Sequence, residues 1–310
     1  MKSTRQTELK SFTVTRHPPA DGERARQEKI FQRNADLMAR FGTDRREFYA
    51  AMVSQTEMAA GVVCVEVSEP KAKGWWVRPR DSGGARAILY IHGGGYCLGD
   101  AASYRGLASQ IAARARCPVF VMDYPLAPEH RFPAAFDAAV KARNWLAANG
   151  IDQLAIIGDS AGGGLALSLL NEPMAKSRLA SVVVFSPWID LALEGQSFND
   201  PTMRDPVFQP AILADAAKLY LAGADPKDPR ASALYGIPDD LPPIAIQVGS
   251  EELLLDDSRR YAELAASRGG VVTLDIFEDM HHVFQSNAGS IETADRALDS
   301  VAQFVTAHWD

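Results

Sequence analysis

Two short segments of this chain carry residues whose types and spacing suit acyl-transfer chemistry. In Gly158-Asp159-Ser160-Ala161-Gly162, a serine stands between small residues. It follows the apolar run Leu154–Ile157 and precedes Gly163-Gly164-Leu165-Ala166-Leu167. A strand, a sharp turn and a helix in that order would expose a serine Oγ as a nucleophile. The plain alternative is a glycine-rich turn packing a helix on a sheet. The second segment, His92-Gly93-Gly94-Gly95-Tyr96, follows the run Ala87–Ile91. Three glycines free backbone N–H groups to point at a ligand, and two such donors beside a nucleophile would bind an oxyanion. A plain loop or a phosphate cradle would read the same way. The chain has no GxxxxGK[ST], and no GxGxxG opens a helix after a strand, so nucleotide binding ranks low.

A serine nucleophile needs a base, and the base needs an orienting carboxylate. The chain has six histidines. His92 belongs to the glycine run, His17 and His308 lie near the termini, and His130 sits in a proline-rich turn. His281 and His282 remain, in Glu278-Asp279-Met280-His281-His282-Val283-Phe284, after the last apolar run. The acid is expected after Ile244–Val248, where Glu251, Glu252, Asp256 and Asp257 are available. The aspartates suit the N-cap and first turn of the helix that follows. The glutamates stand closer to the strand end.

These residues need a scaffold. The apolar runs Ala87–Ile91, Pro118–Met122, Leu154–Ile157, Val182–Phe185, Ile244–Val248 and Val271–Ile276 read as strands buried on both faces. Val62–Val67 and Gly74–Val77 are β-rich as well. Helical stretches, such as Phe136–Asn149 and Asp256–Arg268, separate most of the runs, and glycines Gly150 and Gly269 follow them. The alternation implies an α/β chain with a mainly parallel sheet covered on both faces, and sites at the carboxyl ends of its strands. The first sixty residues read as helical, from Ile30, Phe31, Leu37, Met38, Phe41, Phe48 and Met52. Residues 191–236 also break the alternation. Both segments read as insertions on the core: 1–60, then a core of 61–190 and 237–310, with 191–236 inserted.

Composition excludes other classes. With 47 % apolar and 23 % charged residues, the chain can bury a large core. A net charge of −7 without a basic patch argues against nucleic acid and against an anionic membrane surface. Cys64, Cys97 and Cys117 lack CxxC spacing and read as packing residues, neither a disulfide framework nor a metal site. No apolar run is long enough for a transmembrane helix, and the polar start suggests a cytoplasmic protein.

Taken together, the motifs resemble the bacterial hormone-sensitive-lipase-like esterases. His92–Tyr96 is similar to that family's HGGG-aromatic loop, and Gly158–Gly162 to its GDSAG elbow. Asp123-Tyr124-Pro125-Leu126-Ala127-Pro128-Glu129 with Phe132-Pro133-Ala134 resembles DYRLAPE-x-x-FPA, with Pro125 where arginine is usual. Met280–Phe284 resembles M-x-HVF, which makes His282 the base. The similarity runs from about Val62 to Phe284.

The resemblance implies an α/β-hydrolase fold: a mostly parallel eight-stranded sheet, helices on both faces and a helical cap formed by 1–60 and 191–236. It implies a triad of Ser160, Glu252 and His282, with Gly94, Gly95 and Ala161 as oxyanion donors. Many members carry an aspartate as the acid in a DPL-R-D-E segment. Aligning Leu254–Asp257 on it selects Glu252, whereas counting from Gly249 selects Glu251. Tyr96, Phe208 and Leu213 are candidate pocket residues. The expected function is hydrolysis of short-chain acyl esters through an acyl-enzyme, with no metal or organic cofactor. A lactone hydrolase or amidase with the same triad is the alternative. A non-catalytic small-molecule receptor is the rival from another class. The expected partner is a small ester, and a homodimer is compatible with the family.

Overall fold

In the computed structural model, which describes residues 12–173 and 177–309, the apolar runs become strands. In chain order the elements are β1 (Phe12–His17), α1 (Glu23–Phe41), α2 (Arg45–Val53), β2 (Val62–Glu69), β3 (Ala72–Pro79), β4 (Arg86–Ile91), α3 (Arg105–Ala115), β5 (Val119–Met122), α4 (Ala134–Ala148), β6 (Gln153–Asp159), α5 (Ala161–Ser168) and β7 (Arg178–Phe185). Then follow α6 (Gln196–Asn199), α7 (Pro210–Leu221), β8 (Ile244–Gly249), α8 (Leu255–Ser267), β9 (Val272–Phe277) and α9 (Glu292–Ala307). The strands form one sheet in the order β1-β9-β8-β7-β6-β4-β5-β3-β2. Pairing is parallel from β1 to β5; β3 is antiparallel to both β5 and β2.

Both faces of the sheet are apolar, which explains why the central runs show no polar alternation. In β6, Leu154 and Ile156 join one core cluster, while Ala155 and Ile157 join the other. The first cluster packs on Phe136 and Leu146 of α4, Leu165 of α5 and Tyr261 of α8. The second packs on Leu107 and Ile111 of α3 and Leu298, Val301 and Val305 of α9. Because β4, β6, β7, β8 and β9 run parallel, the loops that follow them gather at one edge of the sheet. The residues singled out above sit on those loops.

The sheet has nine strands among the described residues rather than eight, and the N-terminal region is not wholly helical. Phe12–His17 lies parallel to β9, from Phe12 opposite Val272 to His17 opposite Phe277. Alternating Thr13, Val14 and Thr15 favour extended backbone, and the open edge of β9 supplies its hydrogen-bond partners. The helical reading holds from Glu23, where α1 carries Ile30, Phe31, Leu37, Met38 and Phe41, and α2 carries Phe48 and Met52. The polar start Met1–Lys10 falls outside the described residues. The three cysteines are free thiols, with Cys117 buried. Among the described residues, no helix is long and apolar enough to cross a membrane.

Ile156, fully buried at the centre of β6, measures how tightly this scaffold is packed. Ile156→Ala should cost about 2–5 kcal/mol of stability, read from the urea midpoint. A loss under about 1 kcal/mol would contradict close packing behind the serine turn.

Candidate active site

Ser160 sits between β6 and α5 at φ 52°, ψ −121°, a conformation that costs a non-glycine residue about 1–3 kcal/mol. Three hydrogen bonds hold it there. Its N–H donates to the Phe185 carbonyl at 2.9 Å, and its own carbonyl accepts from Trp188 at 2.9 Å and Gly164 at 3.0 Å. The small residues around it are required by close backbone approach. A Cβ on Gly162 would stand 2.1 Å from the Ile91 carbonyl oxygen, so α5 can meet the end of β4 only with glycine there. Ala161 is the first residue of α5, which has no side-chain cap, so its N–H is one of the unpaired donors at a helix N-terminus.

The glycine loop follows β4. Gly94 has φ 108°, and a Cβ there would meet the Leu98 carbonyl at 2.2 Å. Leu98 N–H closes the turn on the Gly94 carbonyl at 2.9 Å. The N–H groups of Gly94 and Gly95 have no protein acceptor among the described residues. His92 does not face this space as a base. Its Nδ1 bonds the Gly93 carbonyl at 2.8 Å, and its ring stacks on Tyr124 at 4.2 Å. Burial lowers its pKa and keeps it neutral. The Tyr124 hydroxyl donates to the His92 carbonyl at 2.9 Å, so the loop is held from both sides.

Glu252 and His282 meet at the ends of β8 and β9. The Glu252 carboxylate is fully buried, and its Oε2 lies 2.6 Å from His282 Nδ1. Oε1 accepts the Gly249 N–H at 2.7 Å and the Ser186 hydroxyl at 2.8 Å. An ionised carboxylate can only accept, so the shared hydrogen sits on Nδ1 and leaves a lone pair on Nε2. Glu251 points elsewhere. It pairs at 3.4 Å with Arg24 of α1 and at 3.6 Å with Arg204, both partners more than half exposed. Asp256 and Asp257 lie in the first turn of α8. Asp257 Oδ2 accepts the N–H groups of Ile189 and Asp190, and burial pushes its pKa up to about 8.

Ser186 has no signature in the sequence, yet it joins these parts. It stands just after β7 at φ 45°, and its buried hydroxyl donates to Glu252 while accepting the Val283 N–H at 3.1 Å. Its chain neighbour Phe185 receives the Ser160 N–H. A continuous path of covalent and hydrogen bonds therefore runs from Ser160 to the residue after His282.

The segments outside the alternating core reach over this edge. The Phe208 ring lies edge-on to the His282 ring at 4.8 Å. Ala216 of α7 lies 3.5 Å from where a Gly95 Cβ would be. Leu213 is buried in the same helix. Tyr96 is buried beneath that helix, stacked on Tyr220 at 3.9 Å. Arg46 of α2, unremarked in the sequence, clamps Glu129 through both terminal guanidinium nitrogens and donates to the carbonyls of Ala127 and Cys97.

His281 turns away from Glu252. Its Nδ1–H donates to Gln27 of α1 at 2.7 Å, and its Nε2 accepts from Asn287 at 3.2 Å. A second proton would face the Asn287 amide, itself a donor. Burial, and then the neighbouring His282 charge, push its pKa down to about 3. The unfolded chain therefore binds this proton first as pH falls. The stability contribution is complete above about pH 6.5 and is lost from there down toward about pH 3, by up to ~1.4 kcal/mol per pH unit. His281→Asn should flatten the fall of the urea midpoint between about pH 6 and 4. An unchanged slope would contradict the buried neutral imidazole.

Comparison with known proteins places the chain in a family. Residues 88–286 match the family described as alpha/beta hydrolase fold. The chain is 38 % identical over 234 residues to an acetyl-hydrolase of Streptomyces hygroscopicus, covering 74 % of this chain and 78 % of that one. It is 36 % identical over 225 residues to an esterase of Acinetobacter venetianus, covering 71 % and 74 %. A crystal structure of an esterase from the bacterial hormone-sensitive lipase family superposes with a TM-score of 0.80 at 33 % identity, covering 91 % of this chain and 99 % of the other. The chain belongs to the α/β-hydrolase family, in its bacterial hormone-sensitive-lipase-like esterase branch.

Proposed function

We propose that the protein is a serine carboxylesterase that hydrolyses small, short-chain acyl esters, with Ser160 as nucleophile, His282 as base and Glu252 as orienting acid. The observation that carries this reading is the buried 2.6 Å Glu252–His282 bond, which leaves the Nε2 lone pair available at the same sheet edge as the Ser160 turn. The acetyl-hydrolase relative supports a short acyl group.

Ser160 Oγ attacks the ester carbonyl carbon while His282 Nε2 takes its proton. The carbonyl oxygen becomes an anion that receives hydrogen bonds from the N–H groups of Gly94, Gly95 and Ala161. Glu252 stabilises the imidazolium that forms. The carbon–alkoxy bond then breaks, His282 returns the proton to the departing alcohol, and the acyl group stays on Ser160. Water attacks this ester with the same base, releasing the carboxylic acid and restoring the hydroxyl. Each step uses groups of the chain and water alone.

Residues 191–236 and α1 with α2 serve as the cap in this reading. Phe208 and Leu213 are the proposed apolar wall, and Tyr96 backs it from below. The Phe208–His282 ring contact and the nearness of Ala216 to Gly95 support that assignment.

Ser160→Ala should abolish turnover of p-nitrophenyl acetate while leaving the thermal melt unchanged. Full activity in that variant would end the proposal. Glu252→Gln should lower kcat by about 10³–10⁴-fold, as expected when a base loses its orienting carboxylate. Glu251→Gln should change it by less than about threefold, since exposed ion pairs are weak. The reverse order would make Glu251 the acid.

A further inference from the structure

Asp159 is buried next to the nucleophile, and none of the steps above employs it. Its Oδ1 accepts the Tyr90 hydroxyl at 2.8 Å and the Gly93 N–H at 3.0 Å. Its Oδ2 accepts the Tyr104 hydroxyl at 3.0 Å. The Tyr104 oxygen also lies 3.2 Å from Gly93 N and 2.7 Å from the Tyr49 hydroxyl of α2. A Cβ on Gly93 would stand 2.3 Å from Asp159 Oδ2, so the carboxylate is seated flush against the glycine loop. Burying a carboxylate is costly unless donors surround it. Here one donor is the backbone of the residue preceding Gly94.

We infer that Asp159 is a positioning residue: covalently adjacent to Ser160 and hydrogen-bonded to Gly93, it fixes the Gly94 and Gly95 donors relative to the nucleophile. The inference rests on the hydrolase reading given above. Oxyanion donors act only when held at hydrogen-bond distance from where charge develops. Ser160 belongs to the end of β6 and the glycine loop to the end of β4. Asp159 is a side chain of one turn bonded directly to the backbone of the other.

The charge of Asp159 matters to this role, because all three neighbours donate to it. A protonated carboxyl would turn one O–H toward a donor and lose that contact. Burial pushes its pKa up to about 6, opposed by the Tyr90 and Tyr104 hydroxyls, the His282 charge and the Gly93 N–H. The titratable groups around it include Tyr90 of β4, Tyr104 at the head of α3 with Tyr49 behind it, Tyr124 after β5, and His282. Burial raises all four tyrosines, which stay neutral. His282, which takes up a proton in each turnover, is the member of that set whose charge changes. Protonation of Asp159 should therefore lower activity on the acid side.

The test is kcat, KM and the pH–rate profile for p-nitrophenyl acetate, measured on the wild type, Asp159→Asn, Tyr104→Phe and Ser160→Ala. Asp159→Asn should lower kcat by about 10–100-fold with KM changed by less than about threefold, since oxyanion geometry acts on the transition state. The acid limb of log(kcat/KM) should be steeper in the wild type than in Asp159→Asn. Tyr104→Phe should lower kcat by less than about tenfold at unchanged KM and keep the steep limb. If Asp159→Asn does not melt cooperatively, Tyr104→Phe decides: a kcat loss supports the role, and an unchanged kcat overturns it. A folded Asp159→Asn enzyme with wild-type kcat and the wild-type acid limb overturns it outright. Those results leave the hydrolase reading standing when Ser160→Ala is inactive. An active Ser160→Ala would remove that reading instead.

Discussion

The Glu252–His282 bond, 2.6 Å long and sealed from water, is the interaction on which the rest of the site depends. A carboxylate in such a place is tolerated because each oxygen is matched: Oε2 by the imidazole, and Oε1 by Gly249 N–H and the Ser186 hydroxyl. The pairing fixes which imidazole nitrogen carries hydrogen, and so which one is free to act as a base. It also ties three consecutive parallel strands together, because Ser186 follows β7, Glu252 follows β8 and His282 follows β9. Parallel pairing is what brings these three loops to one edge.

On the other side of that edge, the fold bears local strain. Ser160 adopts a conformation that serine avoids, and surrounding hydrogen bonds from β7 and α5 hold it there. The glycines permit backbones to approach more closely than any side chain would allow. Asp159 adds a buried charge at the junction, with hydroxyls from β4 and α3 and one backbone N–H directed at it. A sheet of interlocking aliphatic side chains can support such costs, since its two core clusters make the ends of β4 and β6 hard to displace.

Features that arise from local constraints were legible in the sequence. The serine turn and glycine loop announce themselves because short backbone contacts exclude other residues, and the buried strands because both faces are apolar. Features that arise from facing across the fold were not. Glu251 and Glu252 are neighbours after the same strand, and only the path of the β9 loop separates a fully buried partner of His282 from a partly exposed partner of Arg24. Ser186 is a lone serine with no spacing to mark it. The strand Phe12–His17 was hidden because six residues carry little pattern and their partner β9 lies at the far end of the chain. Asp159 stood in plain view inside a motif, but its partners Tyr90 and Tyr104 share no local spacing with it.

The central claim is that the Ser160 hydroxyl carries the acyl group during turnover. Rapid quenching of the enzyme with p-nitrophenyl acetate in the first turnover, followed by mass analysis of its peptides, tests this directly. An acetyl increment on the peptide containing Ser160, formed with a matching burst of nitrophenol and decaying at the steady-state rate, is the expected result. Turnover with no adduct on Ser160, or with the adduct on another residue at a competent rate, would contradict it.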